Sequence, residues 1–251
     1  MPERVSFDRV ADVYDETRGL PPTVLAKAVG VLAETLQGKR VLEVGVGTGR
    51  YAVPLQKSGV RVVGVDIAPK MVAHGLEKGL RNVVFGDGAR LPFRDASFDA
   101  ATSNHVLHLV PDWRGVLREV VRVLRPGGEY LTMIERRRTV SLSDRYRDIA
   151  RGFGYADVDL GLHERDFPGL VPPSRVVRVA HHLQVVSADA MLDALDKKLY
   201  AFLWRVPEGL HPQIMAVLRR EYGGKTVDRS FDLEVATWTR DQVGRLAGTP
   251  A

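Results

Sequence analysis

Short runs of hydrophobic residues alternate with segments of helical spacing through the first half of the chain. Runs typical of buried strands occur at 41–44, 61–65, 82–85, 98–103 and 129–135. Segments that can form helices separate these runs, which predicts parallel strands joined by helical crossovers. Right-handed crossovers of this kind produce a doubly wound α/β sheet, and its ligand lies at the carboxyl ends of the strands.

The flanking segments follow a different pattern. Before the first strand, apolar residues fall on one face of two predicted helices, 3–18 and 23–37. After residue 136 the alternation of strand and helix is lost. The pattern there predicts further helices and strands, at 141–151, 188–203 and 213–222 for helices and at 176–186 and 231–239 for strands. We expect the late helices to lie over the ligand cleft as a helical lid.

These segments predict one domain over residues 1–251. Within it we distinguish N-terminal helices at 1–37, a ligand-binding core at 39–135 and a variable region at 137–230. A chain of 251 residues with 45% hydrophobic residues is long enough to bury a sizeable core.

Composition limits the chemistry and the partners. The chain has no cysteine, which excludes disulfides, thiolate zinc sites and a thiol nucleophile. Residues 1–4 lack the apolar segment of a secretory signal, and no apolar run approaches a membrane span, so we expect a cytoplasmic protein without a membrane partner. The net charge of +5 comes from 36 basic against 31 acidic residues spread along the chain, and nucleic-acid binding is not favoured.

A glycine-rich turn follows the first predicted strand. Gly45, Gly47 and Gly49 stand at alternate positions between an apolar run and a segment that can be helical. Strand, glycine turn and helix is the arrangement that brings backbone close to a nucleoside, since a Cβ would block the approach. The dinucleotide-binding pattern G-x-G-x-x-G, counted from Gly45, places its last glycine at position 50. This chain has Arg50 there.

Two carboxylates follow the next strands. Asp66 ends the second strand, 17 positions beyond Gly49, where an acid can accept hydrogen bonds from both hydroxyls of a ribose. Asp87 follows the third strand and can accept from the exocyclic amine of an adenine. The alternatives are a surface acid for Asp66 and an ordinary turn residue for Asp87. Their register with the glycine turn favours the nucleoside interpretation.

The successive motifs together resemble those of class I methyltransferases that use S-adenosylmethionine (SAM). The resemblance covers about residues 39–135 and is closest to the small-molecule enzymes related to the ubiquinone and menaquinone biosynthesis methyltransferases. The motifs that carry it are Glu43 to Gly49, Val63 to Asp66, Gly86 to Ala89 with Leu91 to Phe93, Ser97 to Asp99, and Leu124 to Gly128. The opening segment, with Tyr14 and Arg18, is similar to the N-terminal helix of the same group.

This resemblance implies a Rossmann-like sheet of seven strands, the last antiparallel, with SAM along its carboxyl edge. It also implies a set of cofactor-binding residues, namely Tyr14, Arg18, Glu43, Gly45, Gly47, Gly49, Asp66, Ile67, Met71, Asp87, Gly88, Ala89 and Asn104. Arg18 and Arg50 are candidates for the cofactor carboxylate, because guanidinium binds carboxylate in a fork. Solvated surface arginine is the alternative for both.

The implied reaction is in-line transfer of the SAM methyl group to a small-molecule acceptor. His105 and His108 follow the fourth strand and are candidates for a base, which is needed only if the acceptor must lose a proton. Either histidine could instead pack locally or only touch SAM. The spacing of His163, Glu164 and Asp166 matches no metal-ligand motif, so we expect no metal.

Two other functions stay open at this point. A SAM-binding protein without turnover would carry the same cofactor motifs. A nucleotide-dependent oxidoreductase would share the strand, turn and helix but predicts the third glycine near position 50 that is absent. The sequence does not identify the acceptor, the atom that is methylated or the oligomeric state.

Overall fold

The computed structural model describes residues 7–137, 139–155 and 161–248. The described chain forms two compact units. The first contains the chain up to Ile134, Gly161–Ala180 and the chain from Leu233 onward, and the second contains the segment that begins at Glu135 together with His181–Asp232.

The described residues form nine strands and ten α-helices. The strands are β1 Arg40–Val44, β2 Arg61–Asp66, β3 Val83–Phe85, β4 Phe98–Ser103, β5 Leu124–Arg137, β6 Arg175–His182, β7 Val185–Ser187, β8 Thr226–Asp228 and β9 Phe231–Thr239. The helices are α1 Tyr14–Arg18, α2 Pro22–Leu36, α3 Ala52–Lys57, α4 Pro69–Glu77, α5 Trp113–Val123, α6 Leu142–Gly152, α7 Phe167–Leu170, α8 Ala188–Asp196, α9 His211–Tyr222 and α10 Arg240–Leu246. A 3-10 helix, Phe7–Val13, leads into α1.

Seven of the strands form one mixed sheet in the order β3-β2-β1-β4-β5-β9-β6. Strand β1 pairs in parallel with both β2 and β4, β3 extends the sheet beyond β2, and β5 pairs in parallel with β4. The last strand, β9, is antiparallel. This confirms the predicted Rossmann-like sheet. The strand order reverses between β1 and β4, and a ligand crevice is expected at their carboxyl ends.

The sheet is buried against helices that carry apolar residues at helical spacing. In α5, Val116, Leu117 and Val120 are buried, and they pack in one core with strand residues such as Phe98. Asp112 caps this helix, since its side chain accepts from the backbone N–H of Gly115. Sheet and helices therefore hold the ends of β1 to β4 in fixed positions.

The second unit has its own core, formed by α6, α8 and α9. Tyr146 is fully buried in it, and its hydroxyl lies 2.8 Å from Nδ1 of His211. Strands β7 and β8 pair in a separate two-stranded antiparallel sheet, with Val186 opposite Val227. A unit with its own hydrophobic core is expected to be stable by its own packing.

Two predicted element boundaries in the variable region were wrong. The strand predicted at 176–186 is two strands in different sheets, because the chain leaves the large sheet after His182. The helix predicted at 188–203 ends at Asp196, since Lys198 adopts a left-handed backbone, with φ of 50°. The proposed domain boundaries and the lid stay predictions. Among the described helices, none has the length and apolar character needed to cross a bilayer.

Candidate functional site

A cavity of about 430 Å³ lies at the carboxyl ends of β1, β2, β3 and β4, inside the first unit. Most of its wall comes from the loops that directly follow these strands. The wall includes Phe7, Tyr14, Val44, Gly45, Gly47, Val65 to Ala68, Met71, Gly86 to Arg90, Asn104 to Val106, Leu109 to Asp112 and Val116. This is the position at which doubly wound sheets bind ligands.

The turn after β1 needs glycine for two different reasons. Gly45, Gly47 and Gly49 have φ values of 72°, 51° and 71°, in the left-handed region. A Cβ on Gly45 would lie 2.3 Å from Cγ2 of Val106, and one on Gly47 would lie 3.2 Å from Cε of Met71. A Cβ on Gly49 would instead lie 2.8 Å from a side chain of α3. The first two glycines therefore shape the cavity wall, and the third permits helix packing.

Asp66 connects the ends of β1 and β2. Its Oδ2 accepts a hydrogen bond of 2.7 Å from the backbone N–H of Gly47, and its Oδ1 accepts one of 2.9 Å from that of Ala68. Burial raises the pKa of Asp66, and the backbone hydrogen bonds oppose that shift. A carboxylate has about four acceptor positions, so Asp66 can still accept from a ligand after binding these two amides.

Glu43 differs from Asp66 although both are acids at the ends of neighbouring strands. Its side chain is 2% exposed in β1 and does not line the cavity. Burial and the nearby charge of Asp66 raise its pKa to about 8, against a weaker effect from the backbone N–H of Ala52. The Oε2 atom has no hydrogen-bond partner among the described residues. Burial therefore favours the neutral form of the Glu43 carboxyl.

The loops after β3 and β4 supply the opposite wall. Asp87 lines the cavity, and its Oδ1 accepts a hydrogen bond of 2.9 Å from the backbone N–H of Ala89. Asn104 also lines it, and its Oδ1 accepts one of 3.0 Å from that of Met133 in β5. These bonds fix the side chains of both residues before any ligand binds.

The N-terminal helix is bonded to the glycine turn through Asp15. The Asp15 carboxylate accepts from Oγ1 of Thr48 at 2.8 Å, contacts the Arg50 guanidinium at 3.5 Å and forms an ion pair with Lys78. Burial would raise the pKa of Asp15, but Lys78 and Thr48 lower it overall. The Arg50 guanidinium lies 5.0 Å from the ring centre of Tyr14, which lines the cavity. Arg50 therefore helps to hold the helix in place.

The two candidate histidines have different surroundings. His105 lines the cavity and has a left-handed backbone, with φ of 59°. His108 is turned away from the wall: its ring stacks on His163 at 4.6 Å, and its Nδ1 lies 3.8 Å from Oε2 of Glu164. Burial lowers the pKa of His108. Of the two, only His105 can touch a ligand in this cavity.

Sequence reasoning missed the role of Glu164. It is 5% exposed, and its Oε1 accepts hydrogen bonds from the backbone N–H groups of Val106 at 2.9 Å and Leu107 at 3.2 Å. Burial alone would raise the pKa of Glu164, but His108 and the backbone N–H of Val106 lower it to about 2. No spacing rule links an acid to amides 58 positions away. A contact of this kind is visible only in the folded chain.

The structure brings most of the predicted site residues to one cavity. Those at its wall are Tyr14, Gly45, Gly47, Asp66, Ile67, Met71, Asp87, Gly88, Ala89, Asn104 and His105. Glu43, Gly49 and His108 do not line it. The side chain of Arg18 lies outside the described part of the chain. Among described residues, no group of three or more His, Asp or Glu could hold a metal ion. The binding and catalytic roles of all these residues stay predictions.

Comparison with known proteins finds matches to the central part of the chain. Residues 42–132 match a family described as "Methyltransferase domain". The demethylmenaquinone methyltransferase of Corynebacterium efficiens is 38% identical over 133 residues, which cover 51% of this chain and 57% of that relative. The biotin biosynthesis bifunctional protein BioHC of Cellvibrio japonicus is 30% identical over 168 residues, 63% of this chain and 34% of that protein. The alignments thus span little more than half of the first relative and about a third of the second.

A solved structure supports the fold over almost the whole chain. It is that of a protein from Thermotoga maritima described as a SAM-dependent methyltransferase, possible histamine N-methyltransferase. The identity is 18%, the TM-score is 0.53, and the match covers 93% of this chain and 98% of that one. At this identity the likeness concerns the fold alone. The family match and the first relative confirm the resemblance to methyltransferases over the central part of the chain, and the solved structure confirms the fold.

Proposed function

We propose that this protein, whose residues 42–132 match the methyltransferase domain family, transfers the methyl group of SAM to a small-molecule acceptor. The observation that carries the proposal is the convergence of the glycine turn, Asp66 and Asp87 on one cavity. These residues follow three different strands, and each can contact a different part of an adenosine. The carboxyl ends of the strands are where this fold holds a nucleoside.

The residues present fit SAM. A Cβ on Gly47 would occupy the space between Met71 and Asp66, 3.2 Å from the thioether methyl and 3.9 Å from Oδ2, and glycine leaves it open. The Asp66 oxygens accept one hydrogen bond each from Gly47 and Ala68. Their remaining lone pairs would accept hydrogen bonds from the ribose hydroxyls. Asp87 would accept from the adenine amine. Ile67 and Met71 supply the apolar contacts for the ring.

When bound, SAM would supply a methyl group on a sulfonium: the acceptor nucleophile would take the methyl carbon in line, the carbon–sulfur bond would break, and S-adenosylhomocysteine would leave. The protein then has to align the two reactants and exclude water. Val106, Leu109, Val110 and Pro111 make one side of the cavity apolar, which serves the second purpose. His105 stands at the same wall and is our candidate to take a proton at an imidazole nitrogen where the acceptor must lose one. The position of His108, away from the cavity wall, argues against that role for it.

The acceptor is proposed only as a small molecule. The two relatives that share the domain carry names that point to different pathways, one to demethylmenaquinone and one to biotin biosynthesis. The shared segment therefore does not determine the acceptor. We assign acceptor recognition to the variable region 137–230, with its helices as a lid. A chain without cysteine also suits a cytoplasmic location, which we propose with the activity.

Calorimetric titration of the purified protein with SAM, S-adenosylhomocysteine and NAD tests the cofactor. We expect binding of the first two and none of the third; binding of NAD without SAM would overturn the proposal. Transfer of a labelled methyl group from SAM to a panel of quinols, phenols, amines and carboxylic acids tests the activity. SAM binding with no labelled product from any class would favour a SAM-binding protein without turnover.

A further inference from the structure

The loop of residues 104–109, which we call the His105 loop, contains an unfavourable backbone conformation at the cavity wall. His105 has φ of 59°, in the left-handed region that residues with a Cβ avoid. Such a conformation is unfavourable for a residue with a Cβ and persists where the surrounding structure imposes it. The contacts that impose it here come from a segment more than fifty residues later in the chain.

Glu164 provides the strongest of these contacts. One of its carboxylate oxygens accepts from both backbone N–H groups that follow His105, those of Val106 and Leu107, at 2.9 and 3.2 Å. Its other oxygen lies 3.8 Å from Nδ1 of His108. Hydrogen bonds to a buried carboxylate are stronger than those between neutral groups. A single side chain therefore binds two successive backbone amides of the loop and lies next to the ring of the following residue.

The segment around Glu164 packs closely against the same loop. The backbone N–H of Gly161 donates to the carbonyl of His108 at 3.1 Å, and a Cβ on Gly161 would lie 2.0 Å from the carbonyl oxygen of Leu107. The His163 ring stacks on that of His108, with 10° between their planes. The two segments are thus in backbone contact, and the loop has little room to move outward.

On its inner side the His105 loop meets the glycine turn. A Cβ on Gly45 would lie 2.3 Å from Cγ2 of Val106, so the two loops are in direct contact. Both Val106 and His105 line the cavity. Any shift of the amides that Glu164 binds would therefore change the cavity wall itself.

We propose that Glu164 is a positioning residue, which holds the backbone of Val106 and Leu107 and thereby fixes His105 and Val106 at the wall of the cofactor cavity. The anchoring of the loop stands on the structure alone, whereas its effect on SAM binding rests on the proposed function. The two parts can therefore fail separately.

Three variants of Glu164 separate the effect of side-chain length from the effect of charge. Glu164→Gln keeps the side-chain length and a carbonyl oxygen that accepts from both amides, but loses the charge. Glu164→Asp keeps the charge and is one methylene too short. Glu164→Ala loses both. For each we would measure hydrogen exchange of the full chain by mass spectrometry, with peptides that cover 104–109 and 41–44, and SAM affinity by calorimetry.

Positioning predicts a definite order. In Glu164→Gln, hydrogen exchange at Val106 and Leu107 and the SAM affinity should both stay within about fivefold of the wild type. In Glu164→Asp and Glu164→Ala, this exchange should be faster and SAM binding should be weaker by about 30-fold, as expected for loss of hydrogen bonds to a charged group. Exchange over 41–44 should not change. If Asp behaves like the wild type and Gln does not, the charge matters and positioning is wrong.

Other outcomes are equally decisive. Faster exchange over both peptides would mean that Glu164 only stabilises the fold, and it would overturn the proposal. If Ala does not fold, the contrast between Gln and Asp still decides. If the wild type does not bind SAM, the proposed function fails, whereas exchange at Val106 and Leu107 still reports on the anchoring by Glu164.

Discussion

The glycine turn, residues 45–49, and the His105 loop line the same cavity but are held in different ways. The turn uses glycines, which adopt left-handed backbone readily, and Asp66 binds its Gly47 amide from the end of the neighbouring strand. The His105 loop places a histidine in the same backbone region and depends on Glu164, 58 positions beyond Val106. One wall of the site is encoded locally, and the other depends on a distant contact.

This difference decides how each wall responds to substitution. In the turn, a new side chain acts by occupying space at the cavity wall and by disfavouring the left-handed backbone that glycine allows there. In the His105 loop, loss of a contact releases a strained backbone. The effect on ligand affinity then depends on the fraction of molecules in which the loop keeps the conformation that binds the ligand. The substitutions below test this contrast, beginning with the largest expected effect.

Gly47→Val should nearly abolish SAM binding. The added side chain fills the space above the turn, and φ of 51° is unfavourable for a β-branched residue. The combined overpacking and strain should weaken SAM binding by more than about 100-fold in calorimetry. Gly59→Val is the matched control, since Gly59 has φ of 86° and open space around its Cβ position. Equal loss of SAM affinity in both variants would mean that backbone strain alone explains the effect.

Asp66→Ala should weaken SAM binding by about 30-fold, since it removes hydrogen bonds from a charged acceptor. The melting temperature should change much less, because buried carboxylates are expensive to desolvate and their removal relieves that penalty. Asp66→Asn keeps one acceptor oxygen, and its SAM affinity should lie between those of the wild type and Asp66→Ala. Unchanged affinity in the alanine variant would contradict the assignment of Asp66 to the ribose.

Glu43→Gln should change stability rather than the shape of the turn. Folding raises the pKa of Glu43 from its ordinary value of 4.5 to about 8. Between these values the unfolded chain is ionised and the native chain keeps its proton, so the native state loses stability as the pH rises from 4.5 to 8. The variant lacks this loss, and its melting temperature should exceed that of the wild type by about 4 °C or more at pH 8.

The control for Glu43→Gln is the same comparison at pH 4.5, without SAM. At this pH the native state keeps the Glu43 proton and the unfolded chain is only half ionised, so the two melting temperatures should differ least. A difference that stays constant from pH 4.5 to pH 8 would contradict the raised pKa.

Asp15→Asn should have the smallest effect, a twofold to fivefold loss of SAM affinity of roughly the size expected for partly exposed ion pairs. Asp15 bonds the N-terminal helix to Thr48, Arg50 and Lys78 from outside the turn. The loss should shrink as salt is added, because partly exposed charges are screened. A loss larger than that of Asp66→Ala would show that the turn is held from outside and would break the contrast drawn above.

The sequence predicts elements well where a signal lies within a few residues. Strand β4 is found at the predicted residues 98–103, and α8 begins at the predicted residue 188, where the side chain of Ser187 caps it. Helix α10 and the short strand β8 were missed. Only three residues form β8, too few for a periodic pattern, and it exists because β7 pairs with it.

The site shows the same limit. Gly45, Gly47 and Asp66 could be found because each sits at a fixed distance from a strand end. Glu164 lies in a segment without periodicity, and its nearest sequence neighbours suggested only a metal cluster that the spacing did not support. Which amides a side chain reaches across 58 residues depends on the folded path of the chain.

The backbone of His105 has a practical consequence. Glycine is the one residue that adopts a φ of 59° without penalty, so His105→Gly should preserve the shape of the loop while removing the ring. The vacated space at the wall would accept a molecule of the size of imidazole. Chemical complementation with free imidazoles of graded basicity then becomes a way to ask whether the ring transfers a proton or only fills volume.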